Sequence, residues 1–411
     1  MLHRAVALST VGLLGCNQAT PCSTPSGTRT CLISSSAGDV PHGELGFRFA
    51  SPADVDGDGK ADLAAGGRFK GTGYVQVFDA AKHRWDGEQA ASLYGQDVIT
   101  VGDLNSDGLA DLVISAPNAL VDNKPVGIVE ARTGAGQLLW RATGQTPGLG
   151  WQLDNAGDQD GDGLDDIWAG APSDSQGGHV YLLAGKDGHV LRRIDNQEHN
   201  GQFGWYLVTI ADLDGDGQRD LAVGAPFVGV GGAVYLVSST GAVLRDIRGT
   251  RPHSHFGEML TALDDINGDR VADLAIGVPG GGGADAGIGM GEVVLVSGKN
   301  GVVLHRLNQR TPGELYGRAL ATLDDLDGDG ARDFAIGAPW AGTEALPRMG
   351  RVEVRSAKNL KVLAQIEGGV ANEWFGWHMV RAGAALAKPG IIVGRLWASN
   401  GAGALELHQF R

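Results

Sequence analysis

Cysteine is nearly absent from this chain. Its three copies, Cys16, Cys22 and Cys31, fall within the first 31 of 411 residues. The body therefore has neither a disulfide framework nor a thiol nucleophile. Long apolar runs are missing too. The one short run, at 5–14, is only half of what a membrane helix requires, and nothing later in the chain is longer. A soluble body is the prediction. Basic residues are scarce: 33 Lys and Arg stand against 48 Asp and Glu, for a formal charge of -15. That balance argues against nucleic acid as a partner. The 11 His contain no pair at i, i+4 of the zincin kind. His179, His189, His199, His253, His255 and His305 sit at unrelated places and are expected on the surface or in turns. Turns such as Ser238-Ser239 lack the strand-turn-helix setting of a nucleophile elbow. No catalytic residue is assigned, and an enzyme is the less favoured reading.

What the chain has instead is a repeated acidic loop. Asp212-Leu-Asp214-Gly-Asp216-Gly-Gln218-Arg-Asp220 is one of six copies, which start at Asp54, Asp103, Asp158, Asp212, Asp265 and Asp325. So regular a recurrence implies one architectural unit used repeatedly. Carboxylates at loop positions 1, 3, 5 and 9 repel one another unless a cation sits among them. Glycines at positions 4 and 6 permit the tight turn that aims them inward. Hard oxygen donors, with the position-7 carbonyl as one more, predict calcium; zinc would call for His or Cys, and magnesium for a stricter octahedron.

The predicted ligands are Asp54, Asp56, Asp58, Lys60 and Asp62 in loop 1, and Asp103, Asn105, Asp107, Leu109 and Asp111 in loop 2. Loop 3 supplies Asp158, Asp160, Asp162, Leu164 and Asp166, and loop 4 Asp212, Asp214, Asp216, Gln218 and Asp220. Loop 5 supplies Asp265, Asn267, Asp269, Val271 and Asp273, and loop 6 Asp325, Asp327, Asp329, Ala331 and Asp333. Lys60, Leu109, Leu164, Gln218, Val271 and Ala331 would act through their carbonyls. Loop 5, with Arg270 in place of the second Gly, departs furthest from the pattern. An EF-hand is excluded, because position 12 is apolar in every copy (Ala65, Ile114, Ala169, Val223, Ile276, Ile336) where that motif needs Glu. Six calcium ions would bring the formal charge from -15 to -3, so the acidity reads as an unfilled metal complement.

Ahead of each loop, at a fixed offset, stands a Gly preceded by Leu or an aromatic: Leu45-Gly46, Tyr94-Gly95, Leu149-Gly150, Phe203-Gly204, Phe256-Gly257 and Tyr316-Gly317. A seventh, Phe375-Gly376, has no acidic loop behind it. Each repeat carries four short apolar stretches joined by tight turns, which leaves no room for crossover helices. The expectation is an all-β fold, a seven-bladed propeller of four-stranded antiparallel blades over residues 29–411. The last repeat lacks a fourth strand, and residues 29–35 are predicted to supply it, closing the ring with an N-terminal strand.

Residues 1–15 read as an export signal and 16–28, rich in Thr, Ser, Pro and Gly, as a tether. The ending Leu13-Leu14-Gly15-Cys16 resembles the lipobox of bacterial lipoproteins. That resemblance implies a lipid anchor on Cys16 and a place in the cell envelope; plain secretion is the alternative. Cys22 and Cys31 are then left as a candidate disulfide pair.

Taken together, the Phe-Gly marker, the acidic loop and the Gly-Ala-Pro that follows it (intact at Gly170-Ala171-Pro172, Gly224-Ala225-Pro226 and Gly337-Ala338-Pro339) resemble the FG-GAP repeat family. Such repeats form the propeller at the head of integrin α subunits. The resemblance implies calcium loops on one rim and a binding or adhesion role. Integrin α subunits carry four or fewer such loops, together with leg domains and a membrane helix, so integrin signalling is not carried over.

Two functions compete. One is a binding or adhesion module for a protein or glycan; the other is a structural envelope protein with no specific external ligand. The longer connections at 118–125, 280–290 and 340–349 are where recognition is expected, with Trp340 as ligand-binding anchor. Trp151, Trp205 and Trp377, each directly after the marker Gly, are expected to pack blade on blade.

Overall fold

A computed structural model describes residues 30–38, 42–68, 71–78, 83–173, 177–196, 198, 200–280, 291–308, 311–383 and 388–410. The fourth blade shows why the sequence folds as it does. Its four strands, Tyr206–Ile210, Asp220–Ala225, Ala233–Val237 and Val243–Arg248, pair antiparallel in chain order from the axis outward. The second and third are buried at every position, hence their continuous apolar runs; the outermost has mostly exposed or half-exposed positions. A single sheet buries one face at best, so both faces of these strands must be covered by neighbouring blades. The apolar clusters accordingly lie between blades, one of them spanning the fourth, fifth and sixth.

Five other blades repeat the four-stranded plan. The innermost strands of all six, Val98–Val101, Leu153–Gly157, Tyr206–Ile210, Met259–Ala262, Ala319–Thr322 and Phe375–Arg381, pack against one another in succession around the axis. The first blade differs. Ala64–Gly67, Tyr74–Val77 and Arg84–Asp86 form a three-stranded sheet, and its inner strand is reduced to the bridges Phe49–Ala65 and Ala53–Asp62.

The seventh blade runs Phe375–Arg381, Gly390–Arg395, Ala404–Phe410 and then Thr30–Ala37. The N-terminal strand thus completes it, running from Thr30 opposite Phe410 to Ala37 opposite Ala404. It starts and ends slightly later than 29–35. The Leu45 amide bonds the Ala402 carbonyl at 2.9 Å, joining the first blade to the seventh. Cys16 and Cys22, with the signal and tether, lie outside the described residues, as does the side chain of Cys31.

The two glycine markers are explained by contact between blades. Gly204 has φ of 90°, in the left-handed region that favours glycine. Its carbonyl presses on Gly170 of the preceding blade, where a Cβ would lie 2.1 Å from that oxygen. Gly224 meets the Gly257 carbonyl in the same way, again at 2.1 Å. The Gly of Gly-Ala-Pro and the Gly of the next Phe-Gly are therefore two halves of one blade-to-blade joint.

Candidate functional site

In the first six blades the chain runs from the marker Gly along the inner position to the acidic loop, and the second strand runs back. The loops therefore share one rim, and the markers with the connections after Gly-Ala-Pro share the opposite end. In loop 4 the Asp212 carboxylate accepts the amides of Gly215 at 2.6 Å and Gly217 at 2.9 Å, while Asp214 accepts Asp216 and Asp216 accepts Gln218. Asp220, wholly buried at the start of the second strand, accepts Leu213 at 2.7 Å and Ser239 at 3.0 Å.

The other loops close alike. In loop 5 the Arg270 amide donates to Asp265 at 2.7 Å, with Arg270 at φ 69°. The replacement of Gly is thus accommodated by backbone strain and not by a different loop. In loop 2 Ser106 takes φ 64° at position 4.

Ligand oxygens converge within 4.8 Å for Asp158, Asp160 and Asp166, for Asp212, Asp214 and Asp220, and for Asp325, Asp327 and Asp333. In loop 1 the group is Asp54, Asp56 and Asp58, without Asp62, and Lys60 Nζ stands 2.6 Å from Asp58. Position 5 is turned aside in three loops, where a serine from a neighbouring turn holds it: Ser239 on Asp216, Ser297 on Asp269 and Ser356 on Asp329. These serines carried no recognisable signal in the sequence, since each lies on a later turn, far along the chain from the carboxylate it touches.

The donor set fits a hard divalent cation. Asp111 Oδ1 is buried with no hydrogen-bond partner among the described residues. Burial first, then the loop carboxylates Asp214 and Asp212, push the Asp220 carboxyl up to about 6; Asp111, Asp273 and Asp333 are raised in the same way. An ion among these groups relieves the cost of keeping them ionised. The residues that would hold it are the Asp and Asn side chains named above.

At the opposite end the residues just after each marker Gly meet at the axis. Arg48 of the first blade donates to the Tyr206 hydroxyl of the fourth at 3.2 Å, a bond that crosses the ring. Arg68 lies over the Phe47 ring at 3.2 Å and donates to Gln96 at 2.6 Å. Arg318 of the sixth blade lies over Trp377 at 4.1 Å. Trp377 touches Phe47 and Trp374, and Trp374 touches both Trp340 at 5.7 Å and Trp397 at 5.4 Å. Across the mouth Trp151 packs on Trp205 at 4.9 Å, and Trp205 on Phe227.

Trp151 against Trp205 and Trp377 against Phe47 are contacts between adjacent blades, as expected, and the same rings border the axial mouth. Trp340 belongs to this border. Of the three connections expected to surround it, 118–125 contains a small hairpin, Leu120–Val121 with Lys124–Pro125, and 281–290 lies outside the described residues. His179 departs from expectation: it is buried within strand His179–Leu183 and bonds Asp195 at 2.8 Å. The arginines went unnoticed in the sequence. Arg318 stands directly after the marker Gly317 and Arg48 second after Gly46, slots that change from repeat to repeat, whereas Arg68 follows the second strand and had no such signal.

The fold is a seven-bladed propeller with acidic loops on one rim, similar to the propellers of FG-GAP and integrin-α-like proteins. The FG-GAP repeat model matches residues 48–78, 97–138, 204–237 and 316–350. Among similar proteins is integrin alpha-4 of Xenopus laevis, 29% identical over 253 residues, which cover 56% of this chain and 24% of that protein. Integrin alpha-PS5 of Drosophila melanogaster is 33% identical over 189 residues (40% of this chain, 18% of that protein), and integrin alpha-7 of Rattus norvegicus 34% identical over 199 residues (44% and 17%). The chain spans no more than about a quarter of the length of these relatives. Among the described residues no helix is long and apolar enough to cross a membrane.

Proposed function

We propose that this chain is a calcium-stabilised, extracytoplasmic binding or adhesion module that recognises a protein or glycan through the loops around the axial mouth, with Trp340 as one anchor. The observation that carries the reading is the division of labour between the ends. One rim gathers carboxylates that a cation would quiet, and the other gathers indole rings and arginines. Similarity to integrin α chains supports the same reading. Extracellular calcium modules bind at about 10⁻⁴–10⁻³ M, which suits a structural ion outside the cytoplasm. Export through the N-terminal signal, lipid on Cys16 and a Cys22–Cys31 bond belong to this proposal. The mass and end group of the mature chain test all three.

The binding role is tested on glycan and protein arrays with the calcium-loaded protein, comparing wild type with Trp340→Ala. Selective, calcium-dependent binding that falls in the variant supports it. Array binding that is absent, or identical in the variant, removes the assigned face. Calcium uptake is measured independently by equilibrium dialysis, with about six ions per chain expected from the loop count.

A further inference from the structure

Three guanidinium groups face the axial mouth, and two of them have little to hold. Among the described residues, the Arg48 side chain makes one hydrogen bond, to the Tyr206 hydroxyl, and no carboxylate comes within ion-pair distance of it. Arg318 donates to the Met259 sulfur at 3.3 Å, a weak acceptor, and its nearest carboxylate, Glu258, is 3.9 Å away. Its side chain is only 17% exposed, so water satisfies it poorly. Arg68 stands 3.7 Å from Glu44. The nearby Asp97 directs its oxygens to the Leu153 and Val98 amides, which leaves it little for the arginines.

Burial chiefly, with Arg48 adding to it, disfavours the charge on Arg68 and Arg318, whereas against burial Tyr206 and Asp97 hold Arg48 charged. Burial and the neighbouring Arg318 and Arg48 pull Arg68 down to about 9 against the opposing pull of Glu44. His378, beneath them, is held well below its usual range by burial and by Arg48 and Arg318, so it adds no charge. A buried guanidinium with few good acceptors is costly, and a bidentate carboxylate is its best-matched partner.

The surroundings narrow the ligand further. Glu44 and Glu258 stand beside the arginines, and Glu44 Oε2 is buried without a hydrogen bond among the described residues. Such acceptors repel a dense polyanion but receive hydroxyl donors. Flat indole faces border both sides of the mouth, and they suit the C–H faces of a pyranose ring. One negative charge, several hydroxyls and flat apolar faces are together the chemistry of a uronic acid.

We infer that the axial mouth binds a carboxylated sugar, its carboxylate on Arg48 and Arg318, its hydroxyls toward Glu44 and Gln96, and its ring against the bordering tryptophans. This rests on the binding-module reading and names the ligand class of that same face.

The test titrates the calcium-loaded full chain with a hyaluronan tetrasaccharide, its carboxyl methyl ester and hexaglutamate, following heat and tryptophan fluorescence. Arg48→Met and Arg318→Met are titrated alongside, with circular dichroism and melting confirming their fold. The tetrasaccharide should bind at least about tenfold more tightly than its ester, weaken with salt, and lose about tenfold in each folded Met variant. Equal binding of the ester, tighter binding of hexaglutamate, or no binding of any probe at millimolar concentration overturns the inference. If a Met variant fails to fold, the comparison of acid with ester on wild type decides alone. Calcium-dependent array binding to other ligands, with no tetrasaccharide binding, would overturn this inference and leave the broader proposal standing.

Discussion

Asp220→Asn should change the sign of its effect with calcium. Asp220 is fully buried, accepts two backbone amides, and has its carboxyl pushed up to about 6 by burial and by Asp214 and Asp212. Without metal at pH 7, keeping it ionised costs up to about 3 kcal/mol. Asparagine is neutral, and its single oxygen serves one amide well, so it forfeits about 1–2 kcal/mol of hydrogen bonding. In chelator the variant should therefore match wild type or exceed it by about 1 kcal/mol. In about 10 mM calcium a site of about 10⁻⁴–10⁻³ M contributes about 1.4–2.7 kcal/mol to the folded state. Loss of a carboxylate ligand removes most of that. For a domain of this length each kcal/mol moves the melting midpoint by about 1–2 °C. Differential scanning calorimetry should show the variant level or slightly higher in chelator and about 2–4 °C lower in calcium. An equal drop under both conditions would mean that Asp220 is only a cap for two amides, and the metal argument for this rim would fail.

Three further outcomes follow from other parts of the ring. Deleting residues 30–37 removes the outer strand of the seventh blade and should lower the midpoint by about 5–10 °C in calorimetry; an unchanged midpoint would refute closure by this strand. Gly224→Ala puts a methyl 2.1 Å from the Gly257 carbonyl, whereas at Gly217 φ is strained but the space is open. In denaturant unfolding Gly224→Ala should cost about 2–4 kcal/mol, against roughly 1 kcal/mol or less for Gly217→Ala; equal costs would refute the joint. Asp154, raised to about 6 chiefly by burial, contributes stability that is complete below its unfolded value of 3.8 and fades as pH rises through 6. In saturating calcium, wild type should lose about 1–2 kcal/mol relative to Asp154→Asn between about pH 4 and pH 7, after allowance for partial exposure. Parallel melting curves across that range would contradict the assignment.

The propeller was legible because its constraints are local and repeated. Phe203-Gly204 and Gly224-Ala225-Pro226 stand at fixed offsets since each glycine fills one half of a joint with no room for a Cβ. The buried second strand announces itself as the apolar run after Asp220. The acidic loops were legible for the same reason, down to the replacement at Arg270, which keeps the loop's hydrogen bonds. The reduced inner strand of the first blade was not, because bridges such as Ala53–Asp62 depend on neighbours and not on the pattern. Nor was the axial mouth. Arg48 and Tyr206 are 158 residues apart; both stand second after their marker Gly, but the repeat does not say that those two slots meet, and only the closing of the ring brings them into contact. Ser239, Ser297 and Ser356 were hidden likewise, as single hydroxyls reaching a carboxylate on another turn.

The pairing of Thr30–Ala37 with Ala404–Phe410 also sets an order of events during synthesis. Thr30–Ala37 has no partner until Ala404–Phe410 has been made. Every shorter product therefore carries an unmatched sheet edge, either the early strand searching for a mate or a seventh blade without its cover. A nascent chain must keep that early strand out of trouble until the segment that pairs with it emerges. Two chains caught at this stage could each lend the strand to the other, and the exchanged pair would use the same register as the closed ring.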